Sequence, residues 1–319
     1  TWLDALEKLL SEVSDAGKPV VITATGKYFS NGLDTDHVFA NPAQLPAYLD
    51  RVHALYTTVL TLPVPTVAAI NGHAFGAGAM LALCANAART EFGEAGVEPI
   101  AVSGSFLWAP DPGPMEVVTT VRKRGRRVSL IDVELRQEVP GGDERYRVAL
   151  RAAITLGSPE HHVPPLLSVN PVLPLMTPDP PPGLEPIGPG HPMADVVHLA
   201  HGCDIRPSLT SFAPRGDGGP PMIEYWVRPK GAAPDVLFAL LCGDVSAPVT
   251  MGLNRFGWAP TVQLTAFVRA VPADGWLRVM CTTTQIGQEW FDEDHVVVDC
   301  EGRIIVQTRQ LAMVPAPAS

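Results

Sequence analysis

The stretch 71–88, NGHAFGAGAMLALCANAA, constrains the fold more than any other part of the chain. It follows an apolar run, contains small residues at Gly76–Gly78, and has no helix breaker before Gly93. This order of residues predicts a buried strand, a tight turn and a helix. The unpaired N–H groups at the start of such a helix suit a phosphate, a carboxylate or a thioester oxygen that becomes negative during a reaction. The sequence therefore predicts a ligand-binding turn here.

The chain up to residue 88 alternates between helical and strand-like apolar spacing. Helical spacing predicts one helix that ends at Gly17 and another from about Gln44 to Leu62. Short apolar runs predict buried strands at Val20–Ile22 and Val67–Ile70. Two buried strands separated by helices indicate a parallel α/β layer.

After the helix that follows Gly76–Gly78, the pattern becomes β-rich. Strand-like runs separated by turn residues predict an antiparallel meander, over Ile100–Trp108, Met115–Arg122, Val128–Gln137 and Tyr146–Leu156. A helix over Asp235–Val245 is accompanied by a second group of strands, at Ile205–Phe212, Met222–Arg228, Thr261–Val271, Trp276–Thr284, Asp294–Asp299 and Ile304–Val314. The two halves therefore share one plan, a helix wrapped by strands.

Net charge and proline content limit the partners and the domain organisation that the chain can have. The formal net charge of −10 argues against nucleic acid or an anionic membrane, because phosphate-rich surfaces require a positive face. The chain contains 33 prolines, which cluster between Pro159 and Pro192 and again around Pro214–Pro221, and these clusters predict a linker and a loop.

The five cysteines are widely spaced, lie in apolar surroundings and include no C-x-x-C pair. We therefore expect buried thiols in a reducing compartment and no metal site. No apolar run approaches the length of a membrane span and no signal segment is recognisable, so we predict a cytoplasmic protein without a membrane partner.

Residues 26–34, GKYFSNGLD, together with NGHAFGAG, resemble the paired signature of the crotonase (enoyl-CoA hydratase/isomerase) family. The resemblance implies that two backbone N–H groups bind the thioester carbonyl, and these fall on Leu33 and Ala77. Gly76 and Gly78 would contact the substrate beside them.

The crotonase resemblance covers Thr1 to about Ala82, which is a fragment of that fold. Hydratases of the family use two acidic residues as acid and base. The first would fall at Met80, and the segment that carries the second is absent. The resemblance therefore implies a thioester-binding geometry without its acid and base.

Two long stretches carry a second resemblance, WFDEDHVVVDCEGRIIVQTRQLAMV at 290–314 and PTVQLTAFVRAVPADGWLRVMCTTT at 260–284. From about Met80 to Pro315 the chain is similar to the acyl-CoA thioesterases that hold two hotdog domains in one chain, the bacterial type II thioesterase family. In that family an Asp, a Ser or Thr, and a Gln of the second hotdog orient the attacking water.

Carried over by motif, the glutamine is Gln310 and the hydroxyl is Thr284, with Thr283 as the less favoured choice. The Asp position carries Gln263. Because a glutamine can hold water but cannot act as a carboxylate base, this assignment implies slow or absent turnover. Arg124, in the RKRGRR run at 122–127, could bind the phosphates of coenzyme A.

These resemblances predict an α+β chain, a double hotdog preceded by a partial α/β crotonase-like segment. The helix AMLALCANAARTEF suits both families, so a fusion at this helix is the economical explanation. The expected boundaries are a crotonase-like segment at 1–82, a first hotdog without its opening strand at 83–157, a Pro-rich linker at 158–192 and a second hotdog at 193–319.

The predicted function is hydrolysis of an acyl-CoA thioester by a water held in the second hotdog. One alternative is a crotonase-type enoyl-CoA hydratase or isomerase, and another is a non-catalytic acyl-CoA binding protein. No cofactor is expected beyond the coenzyme A of the substrate. Because hotdog domains pair through strands and helices, a homo-oligomer is also compatible with the sequence.

Overall fold

A computed structural model of the protein describes residues 2–16, 20–23, 48, 50–51, 54–55, 58, 66–69, 76–111, 114–139, 145–160, 163–191, 193–194 and 197–316. The chain forms two compact units. The first comprises Thr1–His73 with Pro110–Glu116, and the second comprises Ala74–Ala109 with Val117–Ser319.

The first unit contains helix α1 (Trp2–Ala16) and two short strands, β1 (Val20–Thr23) and β2 (Thr66–Ala69). The strands pair in parallel, as predicted, with Val20 opposite Thr66. The described residues between 48 and 58 are helical, and within them Arg51 donates hydrogen bonds to the carboxylates of Glu7 and Asp4 on α1.

A second group of strands forms one antiparallel sheet beside two helices, α2 (Gly76–Phe92) and α3 (Val236–Cys242). Among the described residues the sheet has ten strands, β3 (Glu98–Phe106), β4 (Glu116–Lys123), β5 (Ser129–Glu138), β6 (Tyr146–Gly157), β7 (Cys203–Pro207), β8 (Met222–Pro229), β9 (Thr261–Val268), β10 (Leu277–Thr282), β11 (Trp290–Val298) and β12 (Ile304–Met313). Within this group, each half supplies one helix that packs on the inner face of its own strands.

The strand order is β4-β5-β6-β3-β9-β12-β11-β10-β8-β7, so the prediction of simple meanders is wrong at two places. The first strand after each helix, β3 or β9, pairs with the last strand of its half, β6 or β12. The segment 107–115 is too long for a tight hairpin between β3 and β4, which frees β3 to pair elsewhere. The pairing of β3 with β9 joins the two halves in the middle of the sheet.

Two strand predictions also have wrong bounds. The expected strand at Ile205–Phe212 ends at Pro207 and is followed by a 3-10 helix at Leu209–Phe212. Proline lacks the N–H that a further ladder bond would require. Strand β11 begins at Trp290, before the predicted Asp294, because its acidic residues alternate between the two faces of the sheet.

The apolar core of the first half lies between α2 and strands β3, β5 and β6. Leu81, Cys84, Ala85 and Ala88 recur at helical spacing and are fully buried. Gly104 of β3 lies under this helix, where a Cβ would come within 2.5 Å of Leu81. Small residues on β3 therefore let the helix sit close to the sheet.

The Pro-rich segment predicted as a linker packs against the second half through residues of 163–191. Val172 and Met176 join a buried cluster with Trp226 and Met280. The indole of Trp226 donates to the carbonyl of Thr177 at 2.8 Å. Burial of these side chains holds the segment on the outer face of β8 and β10.

None of the helices in the described part of the chain is long and apolar enough to cross a membrane. Four of the five cysteines are buried free thiols and Cys300 is partly exposed. The cytoplasmic location stays a prediction.

Candidate active site

The end of α3 lies against the start of α2. Asp244 follows α3, and its Oδ2 accepts a hydrogen bond of 2.7 Å from the backbone N–H of Gly78. A Cβ at Gly78 would come within 2.8 Å of the Leu241 carbonyl oxygen. Only glycine at position 78 therefore allows the end of α3 to lie this close to α2. The contact places the Asp244 carboxylate at the positive end of a helix.

Strands β8 and β12 fix the end of α3 from the other side. The hydroxyl of Thr308 donates to the Gly243 carbonyl at 2.6 Å, and the hydroxyl of Tyr225 donates to the Cys242 carbonyl at 3.1 Å. These bonds satisfy carbonyls that the end of a helix leaves free. As a result, Asp244 is held in one position above the inner face of the sheet.

Asp244 is only partly buried, yet its surroundings favour the neutral acid. Burial raises the pKa of its carboxyl to about 7, and the hydrogen bond from Gly78 opposes part of that rise. Near neutral pH both protonation states are therefore populated, which suits a group that exchanges protons.

A second polar set lies on the inner face of β9, β11 and β12. The Gln310 side chain is buried, its Nε2 donates to Glu293 Oε2, and its Oε1 accepts from the Thr261 hydroxyl at 2.9 Å. The other oxygen of Glu293 accepts from the backbone N–H of Val249 at 2.7 Å. Gln310 is therefore locked in a single orientation.

Glu293 links this set to Asp244 electrostatically. Burial raises the pKa of the Glu293 carboxyl to about 7, the hydrogen bonds from Val249 and Gln310 lower it, and the charge of Asp244 raises it further. The two carboxyl groups are therefore close enough for the charge of one to act on the other.

His295 and Cys281 complete the inner face at β10 and β11. Ser246 Oγ lies 2.8 Å from His295 Nε2, whereas His295 Nδ1 is buried without a hydrogen-bond partner among the described residues. Burial lowers the pKa of His295 to about 3 and raises the pKa of the Cys281 thiol well above its usual value. Both side chains are therefore neutral.

The two threonines considered as the hydroxyl group have different environments. Thr284 is exposed, its N–H donates to Asp292, and its hydroxyl accepts from Arg309 on the outer side of the sheet. The Thr283 hydroxyl is buried and has no partner in the described part of the chain. Continuing the pairing of β10 with β11 beyond Thr282 would set Thr283 opposite Glu293. In that register Thr283, the less favoured choice, would face the same side of the sheet as Glu293 and Gln310.

Gln263 does not join the inner set. It is exposed on β9 and lies opposite Leu311, whereas Gln310 lies opposite the buried Leu264. Because neighbouring residues of a strand point to opposite faces, Gln263 and Gln310 are on different sides of the sheet. The carboxylate in contact with Gln310 is that of Glu293, and the charge of Asp244 acts on Glu293.

The crotonase-derived positions are only partly described. Leu33 lies outside the described residues. Gly76 and Ala77 begin α2, so their N–H groups belong to the four that a helix leaves unpaired at its start. Met80 is buried on the same helix.

Arg124 lies at the opposite end of α2 from Gly76. Its guanidinium is 4.9 Å from the centre of the Phe92 ring and donates long hydrogen bonds to the carbonyls of Glu91 and Phe92. This arrangement caps the end of the helix, and 17 residues of helix separate it from the glycine turn by about 24 Å.

Asp244, Glu293 and His295 were not identified from the sequence. In WFDEDHVVV the polar residues occupy both faces of the strand, so alternation alone does not say which face is buried. Asp244 is a single acidic residue after an apolar helix, and its proximity to Gly78 depends on the packing of two distant helices. The sequence signal that could have identified Asp244 is the apolar run that ends in C-G-D at 242–244.

Comparison with known protein families agrees with the division of the β-rich region into two halves. Residues 64–157 match the model of the acyl-CoA thioesterase N-terminal domain, and residues 174–314 match the acyl-CoA thioesterase C-terminal domain. The chain belongs to the acyl-CoA thioesterase family. Residues 2–90 of this thioesterase-family chain match the enoyl-CoA hydratase/isomerase model, and this match overlaps the first thioesterase match over residues 64–90, which include β2 and most of α2. The predicted fusion is confirmed.

Relatives of the thioesterase-family chain divide in the same way. An uncharacterized protein of Mycobacterium tuberculosis is 62% identical over 255 residues, which cover 75% of this chain and 85% of the relative. The peroxisomal enoyl-CoA delta isomerase 1 of Arabidopsis thaliana is 33% identical over 87 residues, 26% of this chain and 36% of the isomerase. The match therefore covers only part of the isomerase sequence.

Solved structures confirm the double hotdog. A thioesterase II candidate from Thermobifida fusca superposes with a TM-score of 0.61 at 26% identity, over 77% of this chain and 88% of that one. A hot dog fold protein of unknown function from Alicyclobacillus acidocaldarius has a TM-score of 0.61 at 18% identity, over 76% and 88%.

Proposed function

We propose that this thioesterase-family chain hydrolyses an acyl-CoA thioester with a water held among Asp244, Gln310 and Thr283. The observation that carries the proposal is the position of Asp244, a partly buried carboxyl at the start of α2 that is electrostatically coupled to the Glu293–Gln310 pair. It supplies the base that Gln263 could not.

In the proposed reaction, the Asp244 carboxylate accepts a proton from the water while the water oxygen attacks the thioester carbonyl carbon. The carbonyl electron pair moves onto the oxygen. This oxyanion is stabilised by free N–H groups at the start of α2, among which that of Ala77 is adjacent to the one used by Asp244. The intermediate then expels the coenzyme A sulfur, which takes the proton, and leaves a carboxylic acid.

Gln310 and Thr283 orient the water in this proposal. The Gln310 amide is fixed by Glu293 and Thr261, so it offers a defined polar surface instead of a mobile one. The Thr283 hydroxyl is buried without a partner among the described residues, and a bound water would satisfy it.

The experiment is release of free coenzyme A from acyl-CoA substrates across a series of chain lengths. Asp244→Asn keeps the side-chain shape but removes the base, and we expect a loss of about 10²–10⁴-fold in the hydrolysis rate. Asp292→Asn is the matched control, because Asp292 bonds Thr284 and Arg309 on the outer side. Equal rates for wild type and Asp244→Asn would overturn the proposal.

A crotonase reaction is not proposed beside it. The position that would carry the first acid is Met80, which is buried and apolar. The enoyl-CoA hydratase/isomerase match also ends at residue 90, before any further segment of that fold.

A further inference from the structure

Three buried side chains of different chemistry lie together on the inner face of β10 and β11. Cys281 and His295 are direct cross-strand partners, and Glu293 precedes His295 by two positions on the same face. One sulfur, one ring nitrogen and one carboxylate oxygen lie within 4.8 Å of one another. The proposed hydrolysis uses neither Cys281 nor His295.

This donor set matches one class of ligand. Zinc binds thiolate sulfur, imidazole nitrogen and carboxylate oxygen at about 2.0–2.3 Å, so donors around a tetrahedral ion lie about 3–4 Å apart. Cross-strand pairing and strand alternation fix the three Cα positions. Side-chain rotations that move the donor atoms by about 1 Å would bring them to the separation that zinc requires.

The hydrogen bonds around the three side chains leave capacity for an ion. His295 has Ser246 at Nε2, whereas its buried Nδ1 has no partner in the part of the chain described. Buried polar atoms are rarely left unsatisfied. The hydrogen-bond donors to Glu293 are the neutral Val249 N–H and Gln310 amide, so a cation would balance its charge.

We propose that Cys281, Glu293 and His295 form a binding site for Zn²⁺, contrary to the expectation from the sequence. On binding, the Cys281 thiol releases its proton to solvent and the thiolate sulfur bonds the ion. The carboxylate of Glu293 and one nitrogen of His295 supply two further bonds, and a solvent molecule takes the fourth position.

Zinc binding has a consequence that rests on the proposed function. A bond from the ion to the Glu293 carboxylate withdraws negative charge from the oxygen that accepts from the Gln310 amide, so the contact that orients Gln310 becomes weaker. Zinc therefore inhibits thioester hydrolysis.

The test uses the full chain after removal of metal by a chelator. Zn²⁺ is titrated in competition with a chromophoric chelator, and Co²⁺ is titrated separately to look for the near-ultraviolet band of a thiolate–cobalt bond. Wild type should bind one Zn²⁺ and show the band. Cys281→Ser should bind Zn²⁺ more than about tenfold more weakly and lose the band.

Cys300→Ser is the matched control, because Cys300 is partly exposed and its Sγ lies 3.4 Å from the Asp274 carbonyl oxygen, away from the set. Glu293→Gln provides a second variant if Cys281→Ser does not fold, and it too should weaken zinc binding. Unchanged zinc affinity in these variants, or no cobalt–thiolate band in wild type, would overturn the site.

The inhibitory effect is measured separately on coenzyme A release. Added Zn²⁺ should lower hydrolysis by wild type and by Cys300→Ser. Zinc binding without inhibition overturns the regulatory consequence alone. Absence of any hydrolysis in metal-free protein counts against the proposed function, while the binding result still decides the zinc site.

Discussion

The two halves of the large sheet share a plan but differ in the chemistry of their inner faces. In the first half, the buried positions of β5 and β6 under α2 are mostly apolar, at Ile131, Val133, Leu135, Leu150, Ile154 and Leu156. In the second half, the corresponding strands β11 and β12 carry buried polar groups, at Glu293, His295, Thr308 and Gln310. Buried polar groups reduce stability unless they are paired, and their concentration in one half is the reason why we propose the site there.

The first half still contributes to the proposed site through its helix. The start of α2 supplies Gly78, whose N–H bonds the carboxylate of Asp244 from the second half. In the proposed site, the first half therefore supplies backbone N–H groups that stabilise negative charge, and the second half supplies the side chains. Substitutions in one half at a time test this division of roles.

The largest effect is expected at the contact between the helices. Gly78→Ala would drive a methyl group against the Leu241 carbonyl, which cannot move without moving α3. We expect a loss of about 1–3 kcal/mol in the free energy of unfolding, together with loss of most hydrolysis because Asp244 is displaced. Chemical denaturation and coenzyme A release measure the two effects.

Gly188→Ala is the matched control for that variant, since nothing lies within 4 Å of the added Cβ. Its stability should stay within about 0.5 kcal/mol of wild type. If Gly78→Ala behaves like this control, the close approach of the two helices is wrong.

A smaller effect is expected for Thr283→Val, which removes the unpartnered hydroxyl and keeps the shape. A hydroxyl that only fills space would be replaced at no cost, whereas one that orients the water would lower the hydrolysis rate by about tenfold, or about 1.4 kcal/mol of barrier. We expect the rate to fall while the melting temperature stays the same or rises. Thr284→Val, on the exposed side, should leave the rate unchanged.

The smallest effect is expected in the apolar half. Ile154→Val removes one buried methylene and should lower the free energy of unfolding by about 0.5–1.5 kcal/mol. The hydrolysis rate per folded molecule should not change, because Ile154 lies on β6, which supplies no residue of the proposed site. A large fall in that rate would show that the halves are not separable.

Local structure was largely predictable from the sequence. Strand-like alternation predicted all ten strands of the described sheet, because alternation reports local burial. The strand order was not predictable, since the pairing of β3 with β6 and β9 depends on contacts far apart in sequence. The segment 163–191 was likewise expected to be a linker, because its proline content does not reveal that Val172 and Met176 are buried.

The candidate site was predictable in part. Gln310 and Gln263 were both assigned from the thioesterase resemblance, but Gln310 is buried and Gln263 is exposed. A shift of one residue along β9 decides which face a side chain occupies, and sequence alone does not fix that register. Asp244 required the packing of α3 on α2, which no local pattern encodes.

Substitution of these two glutamines, compared in one assay, tests whether the chemistry takes place on the inner face of the sheet. Gln310→Ala and Gln263→Ala make the same chemical change on opposite faces of the sheet, and coenzyme A release is measured for each with folding checked by circular dichroism. We expect the hydrolysis rate to fall about 10–100-fold for Gln310→Ala and less than about twofold for Gln263→Ala. A larger loss for Gln263→Ala than for Gln310→Ala would contradict the placement of the chemistry on the inner face.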